Sequence, residues 1–294
     1  MFIEEIKTIE ETATKKLAYM KSNPMGYLVL SALAGIYVGF GIVLIFAIGG
    51  PVYAADGPFL KLIMGASFGI ALSLVIFAGS ELFTGNNMIL VVGRIQKKAS
   101  TRLVLKSWAL CYAGNLIGSV FLAWLVFHGD SLAEPSKNLI LKVTSLKMNA
   151  GFKELFIRGI LCNWLVCLAV WLAVKAKTEI AKLVMIFWCL FAFISSGFEH
   201  CVANMTLLSL GLLIPHGAEI SFTGMLYNLS WVTLGNIVGG ALFVGMAYWF
   251  AATKPRKAFS GAGCESRPAE LKIITQQEGV VSSKGTTTST MSGR

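Results

Sequence analysis

Six apolar segments, each long enough to cross a bilayer, follow one another along this chain. They cover residues 25–48, 60–92, 103–127, 153–174, 183–213 and 225–250. A helix that crosses the hydrocarbon core needs about 20 mainly apolar residues. Because hydrocarbon offers no partner to an unpaired backbone group, such segments must satisfy their own hydrogen bonds as helices. The sequence therefore predicts an all-α membrane protein with six transmembrane helices.

The amino-acid composition agrees with a membrane location and excludes other classes of protein. The 294 residues are 55% hydrophobic and only 14% charged, whereas a water-soluble domain would expose a heavily charged surface. The net charge of +10 does not indicate a nucleic-acid partner, because the basic residues lie in short loops and in the tail. The six cysteines show neither zinc-ligand spacing nor a disulfide framework. We therefore expect the lipid bilayer as surroundings, with no metal and no cofactor.

Three regions divide the chain. Residues 1–22 place apolar side chains near one helical face, which predicts an amphipathic helix at the membrane interface or against the bundle. Residues 23–252 hold the six apolar segments and form one transmembrane domain. Residues 253–294 are rich in Gly, Ser, Thr and Lys without apolar periodicity, and they predict a disordered tail.

The distribution of charge predicts the orientation of the chain in the membrane. An even number of spans places both termini on one side, and that side holds most of the lysines and arginines. By the positive-inside rule, both termini are cytoplasmic and the protein lies in the plasma or inner membrane. The cations between residues 137 and 158 deviate from this rule, because they would face outward. Cations at an outer entrance would attract an anion.

Polar residues interrupt the second and fifth apolar segments. Residues 81–87 read Glu-Leu-Phe-Thr-Gly-Asn-Asn, and residues 195–206 read Ser-Ser-Gly-Phe-Glu-His-Cys-Val-Ala-Asn-Met-Thr. Gly197 weakens the helix where the second polar run begins, and broken helices at membrane depth are tolerated where they are buried or line water. Ionisable groups inside a spanning segment generally face a cavity or the bundle interior. These runs predict interrupted helices 2 and 5 and a pore or binding site between them.

The two halves of the chain resemble each other. The motif Gly-Asn-Leu-Ile-Gly at 114–118 returns as Gly-Asn-Ile-Val-Gly at 235–239, and the acidic polar run at 81–88 returns at 199–205 with a spacing that differs by one residue. Each half contains three spans, which is an odd number, so the second copy must lie inverted in the membrane. We therefore predict inverted halves at about 25–127 and 153–250. On sequence grounds, the glycine pairs are interpreted as packing positions.

The interruptions offer specific chemistry. The first amides of a half-helix and the positive end of its dipole favour an anion. Thr84 adds a hydroxyl at one break and His200 an imidazole at the other. An ionised Glu199 exposed to the path would repel anions, so it is assigned a structural role, in which it holds the second break through backbone or asparagine hydrogen bonds. A weak-acid anion that loses its hydration beside His200 could exchange a proton with the imidazole and cross as the neutral acid.

Simpler interpretations remain open for several of these residues. A lone histidine inside a span could be hydrogen-bonded within the bundle, and Lys147 could be a solvated loop residue. Asn163 could join neighbouring helices as a polar contact. The periodicity of Phe68, Leu72, Leu82 and Phe193 also fits ordinary packing side chains. A membrane enzyme or redox protein is disfavoured, because the sequence contains no second histidine at ligand spacing and no nucleotide or haem motif.

Three segments together resemble the signature of the formate/nitrite transporter family. They are Glu-Leu-Phe-Thr-Gly at 81–85, Leu-Cys-Asn-Trp-Leu-Val-Cys-Leu-Ala at 161–169, and Ser-Gly-Phe-Glu-His-Cys-Val-Ala-Asn-Met at 196–205. The resemblance covers about residues 1–252. The segments Asn-Pro-Met-Gly-Tyr at 23–27 and Asn-Met-Thr at 204–206 are most similar to the nitrite channel branch.

This resemblance implies an aquaporin-like protomer in a homopentamer, with one substrate pore in each subunit. It implies that His200 is the central pore histidine, that Thr84 and Asn163 are its polar neighbours, and that Lys147 is the cation near the outer entrance. It also implies hydrophobic constrictions, formed by Phe68, Leu72, Leu82, Phe193 and Val166. At the helix breaks, structural roles are expected for Glu81, Gly197, Glu199 and Asn204.

The expected function is a channel or proton-coupled transporter for small monovalent anions of weak acids, not an enzyme. Nitrite is the preferred substrate, in keeping with nitrate assimilation, and formate and hydrosulfide are alternatives within the family. A water or glycerol channel built on the same broken helices would be expected to carry Asn-Pro-Ala at the breaks, and neither break contains proline.

Overall fold

The computed structural model describes residues 2–252, and within this range the chain forms helices and no strand. A π-helical segment, Ala241–Met246, joins the last two helices. The helices are α1 (Ile3–Ser22), α2 (Pro24–Ala54), α3 (Leu60–Ser67), α4 (Gly69–Ala78), α5 (Phe83–Ile95), α6 (Thr101–His128), α7 (Glu134–Met148), α8 (Phe152–Lys175), α9 (Glu179–Ser195), α10 (Cys201–Leu213), α11 (Phe222–Gly240) and α12 (Ala247–Ala252). The predicted all-α class is confirmed for this part of the chain, and the predicted tail at 253–294 lies outside the described residues.

Five helical runs are long and apolar enough to cross a membrane. They are Pro24–Ala54, Leu60–Ala78, Thr101–His128, Phe152–Lys175 and Phe222–Ala252. The remaining predicted span, at 183–213, is divided into α9 with 17 residues and α10 with 13. By length and composition, the described residues therefore provide five candidate spans and one pair of shorter helices.

The first spanning helix is longer than the sequence suggested. We expected it to end at Ile48 before a loop at Gly49-Gly50-Pro51, but α2 continues through Pro51 to Ala54. Proline has no amide hydrogen, so the carbonyl of Ala47, four residues earlier, loses its helical partner. The hydroxyl of Ser136 donates to that carbonyl at 3.5 Å. The expectation was wrong because Ser136, which is far away in the sequence but packs against α2, replaces the hydrogen bond that Pro51 cannot donate.

Two helix crossings bring backbones unusually close. In the crossing of α2 with α6, a methyl group at Gly118 would collide with the carbonyl oxygen of Ala32. In the crossing of α8 with α11, a methyl group at Gly239 would collide with the carbonyl oxygen of Ile160. Only glycine permits such an approach between membrane helices. The repeated Gly-Asn-x-x-Gly motifs thus lie at equivalent crossings, which agrees with their interpretation as packing positions.

The amphipathic first helix lies against the bundle. The residues of its apolar face are buried, namely Ile6, Ile9, Ala13, Leu17 and Met20. The long connection at 128–150 is also ordered, because it forms α7 from Glu134 to Met148. Two surface helices, α1 and α7, therefore pack against the bundle and contribute side chains to the candidate site.

Candidate functional site

Two short connections interrupt helices inside apolar regions, at residues 79–82 between α4 and α5 and at 196–200 between α9 and α10. Each contains a glycine in the left-handed conformation, with φ of 73° at Gly79 and 72° at Gly197. Glycine adopts this conformation without the clash that a Cβ causes. The sequence analysis identified Gly197 but not Gly79. The polar run at 81–87, which predicted the first interruption, lies largely within a helix, because α5 begins at Phe83 and Thr84 is already in its first turn.

An asparagine on α6 holds the first break in place. The side-chain oxygen of Asn115 accepts a hydrogen bond from the Phe83 amide at 2.9 Å, and its Nδ2 donates to the carbonyls of Ser31 at 2.7 Å and Glu81 at 2.9 Å. Interrupted backbone in a spanning region must find partners within the protein. Asn115 supplies both a donor and an acceptor for this purpose.

An asparagine on α11 does the same at the second break. The side-chain oxygen of Asn236 accepts from the Cys201 amide at 2.9 Å, and its Nδ2 donates to the carbonyls of Gly159 at 2.8 Å and Glu199 at 2.9 Å. Asn115 and Asn236 occupy the same position in the two Gly-Asn-x-x-Gly motifs. The asparagines of the motif therefore stabilise the breaks, while the glycines allow the helices to cross closely.

The carboxylate of Glu199 is the centre of a polar ring at the second break. It accepts from Lys147 Nζ at 2.7 Å and from Asn204 Nδ2 at 2.6 Å. Asn204 also donates to the side-chain oxygen of Asn228 at 2.8 Å, and Asn228 donates to the carbonyl of Lys147 at 2.9 Å. The side chain of Glu199 is only 3% exposed. The ring thus satisfies a buried carboxylate with one cation and one amide.

The carboxylate of Glu81 has the same kinds of partner at the first break. It accepts from Lys16 Nζ at 2.7 Å and from Asn86 Nδ2 at 2.9 Å. Asn86 Nδ2 also lies 3.2 Å from the hydroxyl of Tyr27. Each of the two glutamates therefore accepts one lysine ammonium and one asparagine amide: Lys16 and Asn86 for Glu81, and Lys147 and Asn204 for Glu199. Lys16 belongs to α1, so the surface helix supplies the counter-charge.

His200 and Thr84 join the two breaks directly. His200 Nε2 and Thr84 Oγ1 are 3.0 Å apart, and both residues are buried. The other ring nitrogen, Nδ1, accepts the amide of Ala203 at 3.0 Å and so caps α10. An accepting Nδ1 carries no proton, so a neutral imidazole carries its proton on Nε2 and donates to Thr84. The hydroxyl hydrogen of Thr84 is then left for another acceptor.

The first turns of α5 and α10 also hold amide donors. In the described part of the chain, no acceptor is bonded to the amides of Thr84 or Gly85 in the first turn of α5. The first amides of a helix lack an intrahelical partner, and they carry the positive end of the helix dipole. The two breaks thus place two such helix ends around one hydroxyl–imidazole pair.

Asn163 contacts the site through the backbone. Its Nδ2 donates to the carbonyl of Thr84 at 3.2 Å, to the side-chain oxygen of Asn87 at 3.0 Å and to the carbonyl of Asn236 at 2.6 Å. Asn163 therefore links α8 to α5 and α11. These contacts are those expected of a polar residue that joins neighbouring helices. Val166 lies one turn further along α8 and is also buried.

Aromatic and aliphatic side chains flank the hydroxyl–imidazole pair. The ring of Phe193 stacks on His200 with centroids 6.0 Å apart, and Phe68 meets Phe193 edge-on at 5.6 Å. Leu72 and Leu82 are buried and line a cavity that also touches α1. Phe193 therefore contacts the imidazole directly, whereas Leu72 and Leu82 line a separate cavity.

Three cavities approach this region. The imidazole cavity has a volume of about 230 Å³ and is lined by His200, Phe193 and Lys147 among others. The rim cavity, of about 730 Å³, shares Lys147 and Gly197 with it and extends towards α8. The α1-side cavity, of about 240 Å³, is lined by Lys16, Leu72, Leu82 and Gly85 among others. His200 lines the imidazole cavity, and Gly85, the neighbour of Thr84, lines the α1-side cavity.

Three of the five cations in the predicted outward-facing group are neutralised by carboxylates. Lys137 pairs with Asp130 and Glu134, Lys147 pairs with Glu199, and Arg158 pairs with Glu154. Lys142 lies 4.8 Å from the ring centre of Tyr53, and Lys153 is exposed. Glu134 and then Asp130 raise the pKa of Lys137, which lies on the surface helix α7. The attraction for anions at this entrance therefore depends on which cations lack an acidic partner, and not on the number of lysines.

Sequence reasoning missed Lys16, Asn86 and the role of the two motif asparagines. The sequence repeat was the signal that could have led to Lys16, because a cation that pairs with Glu199 in one half implies a matching cation for Glu81 in the other. Residues 2–252 contain no group of three or more His, Cys, Asp and Glu side chains placed to hold a metal ion.

Comparison with known proteins gives consistent results. The model of the family described as "Formate/nitrite transporter" matches residues 4–250. The chain is 44% identical over 277 residues to the "Nitrite transporter NirC" of Salmonella typhimurium, covering 93% of this chain and 97% of that protein.

Two solved structures are also similar. One, described as an "FNT family ion channel", has a TM-score of 0.82 and 43% identity, covering 86% of this chain and 100% of that chain. Another, a "Pentameric formate channel with formate bound", has a TM-score of 0.69 and 31% identity, covering 79% of this chain and 98% of that chain. The family model spans nearly all of the described residues, and the relatives match over almost their whole lengths. This chain therefore belongs to the formate/nitrite transporter family.

Proposed function

We propose that this protein is a membrane channel for small monovalent anions of weak acids, with nitrite as its preferred substrate. The observation that carries the proposal is the buried pair of His200 Nε2 and Thr84 Oγ1, 3.0 Å apart between two helix breaks. The pair offers hydrogen-bond donors, and each break adds the positive end of a helix. The 44% identity to a protein named as a nitrite transporter favours nitrite, and a formate channel with 31% identity keeps formate as the second candidate.

The proposal includes an architecture. Six spans, of which the second and fifth are interrupted, form two inverted halves in an aquaporin-like protomer. Five copies assemble, each with its own pore, in the cell membrane, and both termini face the cytoplasm. The matching contacts of Asn115 and Asn236 support the inverted halves. In each, the side-chain oxygen accepts one amide at the start of the helix after the break, and Nδ2 donates to one carbonyl in the break and one on a neighbouring helix. The pentamer is supported by the description of the related formate channel.

The proposed path runs between the imidazole cavity and the α1-side cavity. Phe68 and Phe193 form one constriction, Leu72 and Leu82 form the other, and Val166 lies nearby. An anion that has lost its water meets the Thr84 hydroxyl and the free amides at the start of α5. There it gains a proton and crosses the apolar constrictions as the neutral acid. In the proton-coupled form, a proton that reaches Nδ1 of His200 replaces the hydrogen bond from the Ala203 amide. The imidazolium then passes its Nε2 proton to Thr84 as Thr84 passes its own proton to the anion, and His200 is left neutral with its proton on Nδ1.

Uptake into proteoliposomes tests this function. Nitrite, formate, hydrosulfide and glycerol are offered separately to vesicles with and without the protein. We expect nitrite to enter fastest and formate to follow, while glycerol enters at the rate of empty vesicles. Uptake of glycerol alone above the empty-vesicle rate would contradict the proposal.

The variant His200→Phe tests the proton step. Phenylalanine keeps a ring against Phe193 but supplies neither Nε2 to Thr84 nor Nδ1 to the Ala203 amide. We expect the variant to lose the acceleration of nitrite uptake by acidic pH. A pH dependence equal to that of the unmodified protein would remove His200 from the proton path.

A further inference from the structure

The charged side chains that line the imidazole cavity are all of one sign. Of its charged side chains, Lys61 and Lys147 are both cationic, and no acidic side chain of the described residues lines it. Both lysines also line the rim cavity, so they lie where the two spaces meet. An anion that moves from the rim towards His200 passes both of them.

The two lysines differ in what compensates their charge. Lys147 is bound to the buried carboxylate of Glu199 at 2.7 Å, so the pair carries no net charge. Lys61 is exposed, and its ammonium group has no hydrogen-bond or ion-pair partner within residues 2–252. The other acidic residues of the rim, Glu154 and Glu219, are exposed and do not line the imidazole cavity, and Glu154 pairs with Arg158.

Local structure does not account for a lysine at this position. Lys61 is the second residue of α3, where the positive end of the helix dipole disfavours a cation. Its backbone is nevertheless held next to the second break, because the hydroxyl of Ser195 donates to the Lys61 carbonyl at 3.2 Å. The fold thus fixes an uncompensated cation beside the break that carries His200.

We propose that Lys61 is the residue that concentrates the transported anion at the mouth of the imidazole cavity. Lys147, which the sequence analysis assigned to this task, instead holds Glu199 and thereby the break. The proposal rests on the proposed function, since it concerns the same path. A small anion beside Lys61 would exchange part of its hydration for a single ammonium group before it enters the apolar cavity.

The size of the effect follows from Coulomb's law. One unit charge acting across about 6 Å of water changes the local concentration of a monovalent anion about three-fold. We therefore expect Lys61→Ala to raise the half-saturating nitrite concentration about three-fold at an ionic strength of about 0.01 M and to leave the maximal rate unchanged. At about 1 M salt, where the screening length is roughly 3 Å, the difference should vanish. Lys153→Ala is the matched control, because Lys153 is exposed at the start of α8 and lines neither cavity.

A chemical rescue isolates the charge from the side chain. The variant Lys61→Cys is prepared with Cys264→Ser, and the other five cysteines are buried. Intact cells that carry the protein are treated with a cationic or an anionic methanethiosulfonate of similar size that does not cross membranes. The thiolate attacks the reagent sulfur, a disulfide forms and a sulfinate leaves. We expect the cationic adduct to restore the half-saturating concentration and the anionic adduct to raise it about ten-fold above that of the unmodified protein.

The outcomes separate this proposal from the proposed function. If Lys61→Ala behaves like Lys153→Ala while nitrite still enters, Lys61 is an ordinary interfacial lysine and the inference is wrong. Equal kinetics for the two adducts would overturn it as well, since they differ in charge alone. If the unmodified protein transports no weak-acid anion, the proposed function fails instead.

Discussion

Replacing Lys147 with methionine tests whether the ring around Glu199 holds the second break. The change removes the cation but keeps an unbranched side chain of similar length. Glu199 would then retain only the 2.6 Å bond from Asn204, although its side chain is 3% exposed. Removing one partner of a buried ion pair leaves an uncompensated charge, which costs about 3–5 kcal/mol. We expect Lys147→Met to destabilise the protein by this amount.

The complementary change, Glu199→Gln, should cost less. Glutamine can still receive the hydrogen bond of Asn204, and the Lys147 side chain, which is 19% exposed, can turn to water. A charged hydrogen bond contributes about 1.5–3 kcal/mol, so the loss should lie in that range. In the double variant no charge remains buried, and we expect a loss about 2–3 kcal/mol smaller than the sum of the single losses.

Unfolding in mixed detergent micelles with increasing dodecyl sulfate measures the four proteins of this cycle. Helical circular dichroism reports the unfolding midpoint, and nitrite uptake on the same preparations reports whether the break still works. Additive losses within about 0.5 kcal/mol would show that Lys147 and Glu199 do not act as a unit, and the proposed role of Lys147 would then be wrong.

The remaining predictions concern packing and the motif asparagines. Gly118→Ala should prevent the close crossing of α2 and α6, because the new methyl group collides with the Ala32 carbonyl; the yield of folded protein by size-exclusion chromatography should fall sharply, while Gly151→Ala, which meets open space, should change nothing. Asn236→Ala removes three buried hydrogen bonds and should lower the free energy of unfolding by about 2–4 kcal/mol. The exposed Asn149 serves as the control, and an equal effect of Asn149→Ala would contradict the assigned role of Asn236.

Much of the fold follows from hydrophobic length and from glycine and proline positions, with instructive exceptions. The apolar segments predicted helices because membrane backbone must bond to itself. Pro51 was interpreted as a helix end because a proline removes a donor, and only the position of Ser136 shows how the lost bond is compensated. The second span is also divided at Phe68, between α3 and α4, where the sequence analysis predicted no interruption. These features depend on tertiary contacts that no local pattern contains.

The candidate site was predictable where polar residues interrupt apolar ones. His200, Thr84, Glu199 and Asn204 stand out in this way, and the structure brings the four together near the breaks. Lys16 could not be found by the same reasoning. It belongs to an amphipathic helix, where a lysine on the polar face is ordinary, and its partner Glu81 follows 65 residues later.

The partners of the two buried carboxylates extend the proposed repeat. Lys16 lies on α1, which precedes the first three spans, and Lys147 lies on α7, which precedes the last three. In each half a surface helix therefore supplies the cation for the glutamate at the break that follows. The proposed repeating unit then comprises a surface helix followed by three predicted spans, rather than three spans alone. Because the side chain of Glu81 is 8% exposed, undocking α1 would leave its charge uncompensated. The position of α1 and the integrity of the first break are thus linked by one ion pair.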